Sequence, residues 1–242
     1  VETDGGMMMP RPDAFIPTGT GTSPGTGELV FSEVHYDPHF GLSDGDAEWL
    51  EIYNVTNRTL SLEDCTLSDG TDSVALGEIL MEAGTYALFA RNPDASVNGG
   101  LNAVGIFPFA LNNLSDALEL KCGVTVIDRL AYDLDEGFPR TKGFSASLSP
   151  NHLNAVDNDD PNNWCYPRRV YLEDPIQWGT PGGPNTQCDE IVDQCRLQSP
   201  VTLPNAALDL AGEYRDAVDI FGRVRKDTLT DRTTGNDAPG LV

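Results

Sequence analysis

The chain has 242 residues, of which 39% are hydrophobic and 22% are charged, so it is long enough to bury a sizeable core. Its 38 acidic residues outnumber its 15 basic ones, which gives a net charge of −23. Because such a surface repels the phosphate backbone, we expect no nucleic-acid partner, whereas a cation such as calcium is favoured. No apolar run of about 18 residues or more is present that could span a membrane.

The charge is unevenly distributed along the chain. From Arg196 onward six bases nearly balance seven acids, so residues 1–195 carry −22 of the net charge. This change in composition predicts a domain boundary near residue 190. Residues 1–27 are rich in Thr, Gly, Pro and Ser and are predicted to form a flexible linker. Since such stalks often follow the lipidated cysteine of exported lipoproteins, a membrane tether through a lipid anchor upstream of the linker is an open alternative.

From Glu28 onward, short runs with strand character alternate with turn residues. The predicted strands are, in chain order, ELVFSEVHY, EWLEIYNV, TLSLEDCTLSD, TYALFARN, DALELKC, VTVIDRLAY and FSASLSP. Six or seven short strands separated by turns predict an all-β protein with an antiparallel β-sandwich. No segment has a persuasive helical period.

The most acidic stretch of this region is DGDAEWLEIYN, residues 44–54. Glu48 and Glu51 are three residues apart on a predicted strand, so they point to opposite faces and cannot both address one substrate. We interpret Glu51 as a solvent-exposed strand residue and Glu48 as a residue with a structural partner. Asp44 and Asp46 are interpreted as turn residues, with weak cation binding as the alternative.

The order of several segments resembles a known family. LVFSEVHYDP, DAEWLEIYN and LSLEDCTLSD resemble the opening of a lamin-tail domain of the type found in bacterial secreted proteins. MEAGTYALFA, LNNLSDALELKCGVTVIDRLAY, GFSASLSP and NNWCY…WGTPGGPN follow in the family's order, so the resemblance covers residues 28–187. It implies an immunoglobulin-like β-sandwich without a catalytic constellation, of a kind that acts as an accessory or surface module, sometimes joined to secreted nucleases or phosphatases.

Five cysteines are scattered through the chain without a C-x-x-C spacing or a nearby histidine, so a zinc site is not expected. Their distribution in an acidic, β-rich chain favours an oxidising compartment. From the placement of the strands we predict disulfides Cys65–Cys122 and Cys165–Cys188. Cys195 is then left over as a lone thiol, an intermolecular bridge or half of a pair whose partner is missing, and we favour a partner in a further part of the second module.

The best metal candidate is the segment AVDNDDPNNW, residues 155–164. Asp157, Asp159 and Asp160, together with Asn158, offer hard oxygen ligands close together, as calcium needs. The glycine and glutamate of an EF-hand loop are absent, however. The alternative interpretation is an Asx-rich turn ahead of Trp164.

Other motifs do not indicate catalysis. GTPGGPN, residues 179–185, has no Lys-Ser/Thr and no following helix, so it is interpreted as a turn after the last strand. The three histidines lack a serine or cysteine nucleophile motif, so a hydrolase triad is not expected. We therefore assign no catalytic residue and no cofactor other than the candidate calcium.

The sequence thus predicts a lamin-tail-like β-sandwich at residues 28–187 and an incomplete second β domain at residues 188–242, which contains two strands within DLAGEYRDAVDIFGRVRKDTLTD. The expected role is that of a non-catalytic extracellular or cell-surface module that binds a protein or a surface polymer, with the periplasm or outer membrane also open. The alternatives are an accessory domain of a secreted hydrolase and, less favoured, a calcium-dependent adhesion module.

Overall fold

A computed structural model describes residues 20–188 and the backbone of two further strands, β15 (Tyr214–Val218) and β16 (Val224–Thr228). Contacts divide the chain into two units, one ending at Cys188 and one beginning at Asp189. In the second unit β15 and β16 form an antiparallel hairpin, as the sequence predicts for this segment. Cys195, most of the predicted second domain and residues 1–19 lie outside the described residues.

The first unit is built from two facing β-sheets. The six-stranded sheet has, in spatial order, β12 (Trp164–Cys165), β11 (Ala146–Leu148), β1 (Leu29–His35), β2 (Trp49–Asn54), β7 (Tyr86–Ala90) and β8 (Gly105–Ile106). The four-stranded sheet has β10 (Thr125–Asp133), β9 (Ser115–Cys122), β4 (Cys65–Ser68) and β5 (Ser73–Ala75). Neighbouring strands are antiparallel except β7 and β8, which run parallel.

Short elements complete the unit. Two-stranded ladders are formed by β3 (Leu60–Ser61) with β6 (Leu80–Met81) and by β13 (Val170–Glu173) with β14 (Ile176–Trp178). Helical structure within residues 20–188 is limited to α1 (Asp44–Ala47) and to 3₁₀ turns at Pro150–His152, Asp157–Asp159 and Pro161–Asn163. Among the described residues no helix has the length and apolar character needed to cross a membrane.

The hydrophobic core lies between the two sheets and follows the alternation of the strands. Leu50 and Ile52 of β2 face this core, as do Leu118 and Leu120 of β9. Phe31 of β1 is fully buried among them. This two-layer arrangement is an immunoglobulin-like all-β sandwich, the fold class predicted from the sequence.

The sandwich begins earlier than the predicted end of the linker at residue 27. Thr22 forms a β-bridge with Leu60, and its amide donates to the carbonyl of Thr59. Gly21 lies so close to the backbone of Ser61 that a Cβ atom there would sit 2.7 Å from its nitrogen. The segment from Thr22 to Gly27 therefore packs on the sandwich, and the prediction that the linker extends to residue 27 is wrong.

Candidate functional site

The most unusual chemistry of the molecule lies on the outer face of the six-stranded sheet. All seven residues of β1 are buried, so both of its faces are covered. Its inner face meets the core, and its outer face is covered by residues 169–187, which we call the arm. The arm comprises β13, β14 and the glycine-rich segment that follows them.

Two glutamates lie under the arm. Glu33 of β1 and Glu51 of β2 are directly paired across the two strands, and both side chains are fully buried. The prediction that Glu51 is solvent-exposed is therefore wrong, because the arm covers the face that alternation assigns to solvent. A bulge between Phe31 and Glu33 allows the consecutive residues Ser32 and Glu33 to contact this same layer.

Glu33 is surrounded by hydrogen-bond donors. Its Oε1 accepts from the Ser147 hydroxyl at 2.7 Å, from the Ser145 hydroxyl and from the Thr180 amide at 3.0 Å. Its Oε2 lies 2.8 Å from the Thr180 hydroxyl. A carboxylate only accepts hydrogen bonds, whereas a carboxylic acid must also donate one, so the two serine hydroxyls and the Thr180 amide fit an ionised Glu33. The Thr180 hydroxyl has one proton, for which Asn185 Oδ1 at 2.5 Å competes with Glu33 Oε2.

Glu51 has fewer donors and a different charge state. Its Oε1 lies 2.8 Å from the Ser32 hydroxyl, which can donate to a carboxylate or accept from a carboxylic acid, and its Oε2 accepts from the Gly182 amide at 2.7 Å. Burial, reinforced by the nearby Glu33, raises the pKa of Glu51 well above its ordinary value of 4.5. Burial also raises the pKa of Glu33, but its hydrogen bonds oppose the shift. We therefore assign the negative charge to Glu33 and a proton to Glu51.

The arm can approach the sheet closely because of its glycines and one asparagine. A Cβ atom on Gly179 would lie 2.8 Å from the Trp49 ring, so only glycine fits there. The Asn185 amide donates to the carbonyls of Ser32 at 2.7 Å and Leu148 at 3.0 Å. The motif GTPGGPN is thus more than a turn, since it joins β14 to the sheet and supplies the polar groups that meet Glu33 and Glu51.

His35, two residues after Glu33 on β1, is buried under the same arm. Its ring lies 5.6 Å from the Trp49 ring and 6.1 Å from the Tyr171 ring, centroid to centroid. Neither ring nitrogen has a hydrogen-bond partner of good geometry, although the Gln177 amide is close enough to favour the charged form. Burial dominates and lowers the pKa of His35 to about 3. His35 is therefore a neutral packing residue.

Glu48, at the opposite face from Glu51, has the structural partner that the sequence predicts. Its Oε2 accepts from the Leu111 amide at 2.9 Å and from the Arg91 guanidinium at 3.0 Å. Burial nevertheless raises the pKa of Glu48 to about 7. Asp44 and Asp46 belong to the short helix α1, where Ser43 and Asn92 donate to Asp46.

The candidate calcium ligands are not brought together around a common point. The Asp157 carboxylate interacts with the Asn154 side chain and lies 2.9 Å from the His152 ring nitrogen, and Asp160 caps the Pro161–Asn163 turn. Partial burial raises the pKa of Asp159. Within residues 20–188 no group of three His, Cys, Asp or Glu side chains is placed to hold a metal ion. The structure supports the alternative interpretation of this segment as an Asx-rich turn.

The residue that matters in this segment is its neighbour Asn158, which is fully buried. Its side-chain amide donates to Asp128 Oδ2 at 2.8 Å, and its backbone carbonyl accepts from the Trp164 indole at 2.8 Å. Asp128 also accepts from the Phe31 amide at 2.8 Å, and burial raises its pKa to about 7. Asn158 therefore docks the segment, residues 150–164, onto β10 and β1. We call this segment the acidic loop.

Both predicted disulfides are present. Cys65 and Cys122 are directly paired across β4 and β9, and they are bonded. Cys165 of β12 is bonded to Cys188, the last residue of the first unit. The first disulfide lies in the core of the sandwich, and the second attaches the end of the arm to the edge of the six-stranded sheet.

A cavity of about 300 Å³ adjoins the arm. Its lining consists of Arg169, Val170, Tyr171, Gly179, Thr180, Pro181, Gly182 and Gly183. Glu33, Glu51 and His35 do not line it, so the buried titratable groups do not face this cavity. The hydrogen bonds of Glu33 and Glu51 are directed to the arm and to neighbouring strands, so the arrangement packs the arm on the sheet.

The fold and this site define an all-β sandwich domain whose buried acidic groups hold its own segments in place. The family model of the Lamin Tail Domain matches residues 22–133. The lamin tail domain is a β-sandwich domain of a typically non-catalytic, binding or structural kind, so the match agrees with the fold. Neither a curated protein nor a solved structure matches the chain.

Sequence reasoning did not find Glu33, His35, Thr180 and Asn185. One signal was available, since β1, Leu29–His35, contains two titratable residues, Glu33 and His35, at alternate positions of a largely apolar strand. The Ser-x-Ser of Ser145 and Ser147 repeats this spacing on a neighbouring strand. The arm that covers Glu33 and His35 lies far along the chain, so the burial of these two side chains could not be predicted from local patterns.

Proposed function

We propose that the protein is a non-catalytic extracellular or cell-surface module, of the lamin-tail type that occurs in bacterial secreted proteins. Its role is to bind or to display neighbouring modules. The observation that supports this proposal is the pair of disulfides, one in the core and one at the end of the arm. Structural disulfides persist in oxidising compartments and are rare in the cytosol, so two of them in one domain favour export.

The chemistry of the site supports the non-catalytic part of the proposal. The titratable groups with the strongest burial, Glu33, Glu51 and His35, are enclosed by the arm and by their own hydrogen-bond partners. A catalytic acid or base has to reach a substrate, and these groups are directed at backbone and hydroxyl groups of the chain itself.

The excess of acidic residues bears on the partner. With a net charge of −23, the chain repels polyanions, so the proposed partner is a protein or a surface polymer and not a nucleic acid. A lipid anchor upstream of the linker is the proposed attachment to the cell surface. Retention of the protein on immobilised DNA at physiological salt would contradict the partner assignment.

The test of the proposed location is disulfide mapping of the protein isolated from its own cells. Free thiols are alkylated during lysis, and peptides are then analysed with and without reductant. We expect linked peptides for Cys65–Cys122 and Cys165–Cys188 in the unreduced sample only. Alkylation of all four cysteines in a properly folded protein would contradict an extracellular role.

A second candidate function is an accessory domain of a secreted hydrolase. It is favoured by the second unit that begins at Asp189 and contains the β15–β16 hairpin. The intact mass of the native protein distinguishes the two. A mass well above 26.1 kDa together with nuclease or phosphatase activity would support the hydrolase, whereas an excess that fits one small β domain or acyl chains supports the surface module.

A further inference from the structure

Three titratable side chains lie together beneath the arm. Glu33 and His35 are two residues apart on β1, and Glu51 is the cross-strand neighbour of Glu33. The relative exposure of each of the three is 0%. The arm meets each of them with a different residue: Thr180 bonds Glu33, Gly182 bonds Glu51, and Tyr171 packs against His35.

We propose that the arm, residues 169–187, is a proton-controlled lid, which closes on the sheet only when the Glu33–Glu51 pair holds one proton and His35 holds none. The lid is a regulatory device that goes beyond the proposed binding role. It acts on the outer face of the six-stranded sheet.

The carboxyl pair requires one proton because the two side chains are paired across neighbouring strands in a site without water access. The hydroxyls of Ser145 and Ser147 and the amide of Thr180 stabilise a charge on Glu33. A second charge on Glu51 would be compensated by only the Ser32 hydroxyl and the amides of the glycine turn. Two like charges in a buried pair are costly, so the closed lid keeps the proton on Glu51.

His35 has to be neutral under the closed lid because a buried imidazolium would need two well-placed acceptors, whereas the nearby Gln177 side chain and Gly143 backbone do not make hydrogen bonds of good geometry with its ring nitrogens. The positive charge of Lys142 also disfavours protonation of His35. The other facing titratable group is Tyr171, whose pKa is raised by burial, so it contributes no charge at neutral pH. Next to Glu51, burial likewise raises the pKa of Tyr86, which stacks on Tyr53.

The second disulfide determines how the lid moves. Cys188 is bonded to Cys165 of β12, at a sequence separation of 23 residues. Opening of the lid therefore releases a segment whose two ends remain attached at the edge of the sheet. The core between the two sheets stays intact. Such sub-global openings are measured by amide hydrogen exchange.

The count of protons in the two states predicts the pH dependence of opening. In the open state the three groups titrate at their ordinary values of 4.5 for glutamate and 6.5 for histidine. Above pH 6.5 the open state holds no proton and the closed state holds one on Glu51, so opening releases a proton and becomes about tenfold more favourable per pH unit. This rise ends only where Glu51 itself ionises under the closed lid.

Between pH 4.5 and pH 6.5, the ordinary pKa values of glutamate and histidine, the difference in bound protons between the open and closed states is different. In that range the open state holds one proton on His35, and the closed state holds one on Glu51. Opening then moves a proton from Glu51 to His35 with no net uptake or release, so the opening equilibrium is independent of pH. The lid is therefore most firmly closed in mildly acidic solution and loosens as the pH rises above neutrality.

The test is hydrogen exchange of the full-length protein, with arm peptides analysed by mass spectrometry from about pH 5 to about pH 8.5 after correction for intrinsic exchange rates. Amides of β4 and β9 serve as the internal reference for global unfolding. We expect protection of residues 179–187 to be constant up to about pH 6.5 and to fall between about 10-fold and 100-fold by about pH 8.5, beyond any change in the reference. Protection that is constant over the whole range would overturn the proposal.

Two variants, Glu51→Gln and His35→Phe, test which residues cause the pH dependence of arm protection. Glu51→Gln mimics the protonated side chain, so its arm protection is expected to stay constant up to about pH 8.5. An alkaline loss equal to that of the wild type would overturn the role of Glu51. Glu63→Gln, at an exposed position, is the matched control and should behave like the wild type.

His35→Phe keeps the aromatic packing and removes the proton acceptor, so it tests the other half of the balance even if Glu51→Gln folds poorly. Without His35 the open state holds no proton between about pH 4.5 and 6.5, so arm protection should rise about tenfold per pH unit on acidification through this range. A flat profile in this variant, as in the wild type, would overturn the proposed exchange of a proton between Glu51 and His35.

Discussion

The acidic loop and the arm use carboxyl groups in opposite ways. In the acidic loop, residues 150–164, the carboxylates that are crowded in the sequence lie at the surface and stabilise their own turn, while the neutral Asn158 makes the buried contact. The arm, residues 169–187, contains no cluster of acids, and one glutamate from each of the neighbouring strands β1 and β2 lies beneath it. Both segments dock on β1, one through Asp128 and the Phe31 amide and the other through Glu33.

The difference shows that the local density of acidic residues is a poor guide to chemistry in this molecule. A carboxylate next to other carboxylates stays in water, because burying several charges together costs too much free energy. A single glutamate on a strand is buried when enough donors surround it, and Glu33 has donors from three different residues. The energetically important acids are therefore the buried ones to which distant parts of the chain donate hydrogen bonds, such as Glu33 and Asp128.

The largest effect that this comparison predicts is an increase in stability on acidification. The pKa values of Asp128 and Glu48 are raised to about 7, so both groups bind a proton more readily in the folded protein than in the unfolded chain. Their contribution is fully present below the ordinary values of 3.8 and 4.5 and is lost as the pH rises through about 7. His35 acts in the opposite direction below 6.5, because its pKa is lowered to about 3.

Summed over these groups, the free energy of unfolding should be higher at about pH 5 than at about pH 8, by on the order of 3 kcal/mol. Urea denaturation at the two pH values measures the difference. Equal stability, or greater stability at the alkaline pH, would contradict the raised pKa values of the buried Asp128 and Glu48.

The next largest effect separates the two glutamates of the arm site. Glu33→Gln places an amide group among donors and should lower the free energy of unfolding by about 3 kcal/mol. Glu51→Gln replaces a protonated acid with a group of similar shape and should change it by less than about 1 kcal/mol. Urea denaturation at about pH 6 measures both, and equal effects of the two substitutions would contradict the assignment of the charge to Glu33.

A smaller effect is expected in the acidic loop. Asn158→Ala removes the hydrogen bond from the acidic loop to Asp128. The hydrogen bond from the Phe31 amide to the same carboxyl group remains. The free energy of unfolding should fall by about 1–2 kcal/mol. Asn162→Ala is the matched control, because the Asn162 side chain contacts only the exposed Asp160 of its own turn. If the two variants are equally stable, Asn158 does not dock the loop.

The smallest effect is expected from the carboxylates that resemble a calcium site. Asp157→Ala combined with Asp159→Ala should leave the melting temperature in calcium unchanged relative to its value in chelator, as in the wild type. The reason is that Asp157 is engaged by His152 and Asn154, and three carboxyl groups do not converge. A rise in melting temperature with millimolar calcium that this double substitution abolishes would establish calcium binding and revive the adhesion alternative.

The strands and disulfides could be predicted from the sequence because their signals are local. Alternation placed Leu50 and Ile52 in the core, and the strand positions of Cys65 and Cys122 brought them opposite each other. The burial of Glu51 could not be predicted in this way, because alternation shows which face a residue points to and not what covers that face. The cover, at Gly182, is 131 positions further along the chain.

The candidate site shows the same limit. Asp157, Asp159 and Asp160 are close in sequence, but a ligand set depends on the direction of each side chain. The 3₁₀ turns Asp157–Asp159 and Pro161–Asn163 direct these side chains away from a common point. Asn158 was considered only as a further oxygen ligand. Its actual role depends on Asp128, a residue of another strand, and no local pattern links the two.

The central claim is that the charge on Glu33 holds the arm on the sheet. The most direct measurement is hydrogen exchange of Glu33→Gln and wild-type protein at about pH 6, compared peptide by peptide. The account predicts that residues 179–187 lose protection in the variant while β4 and β9 keep theirs at the level set by global stability. Unchanged protection of the arm, with any destabilisation spread evenly over the sandwich, would contradict the claim.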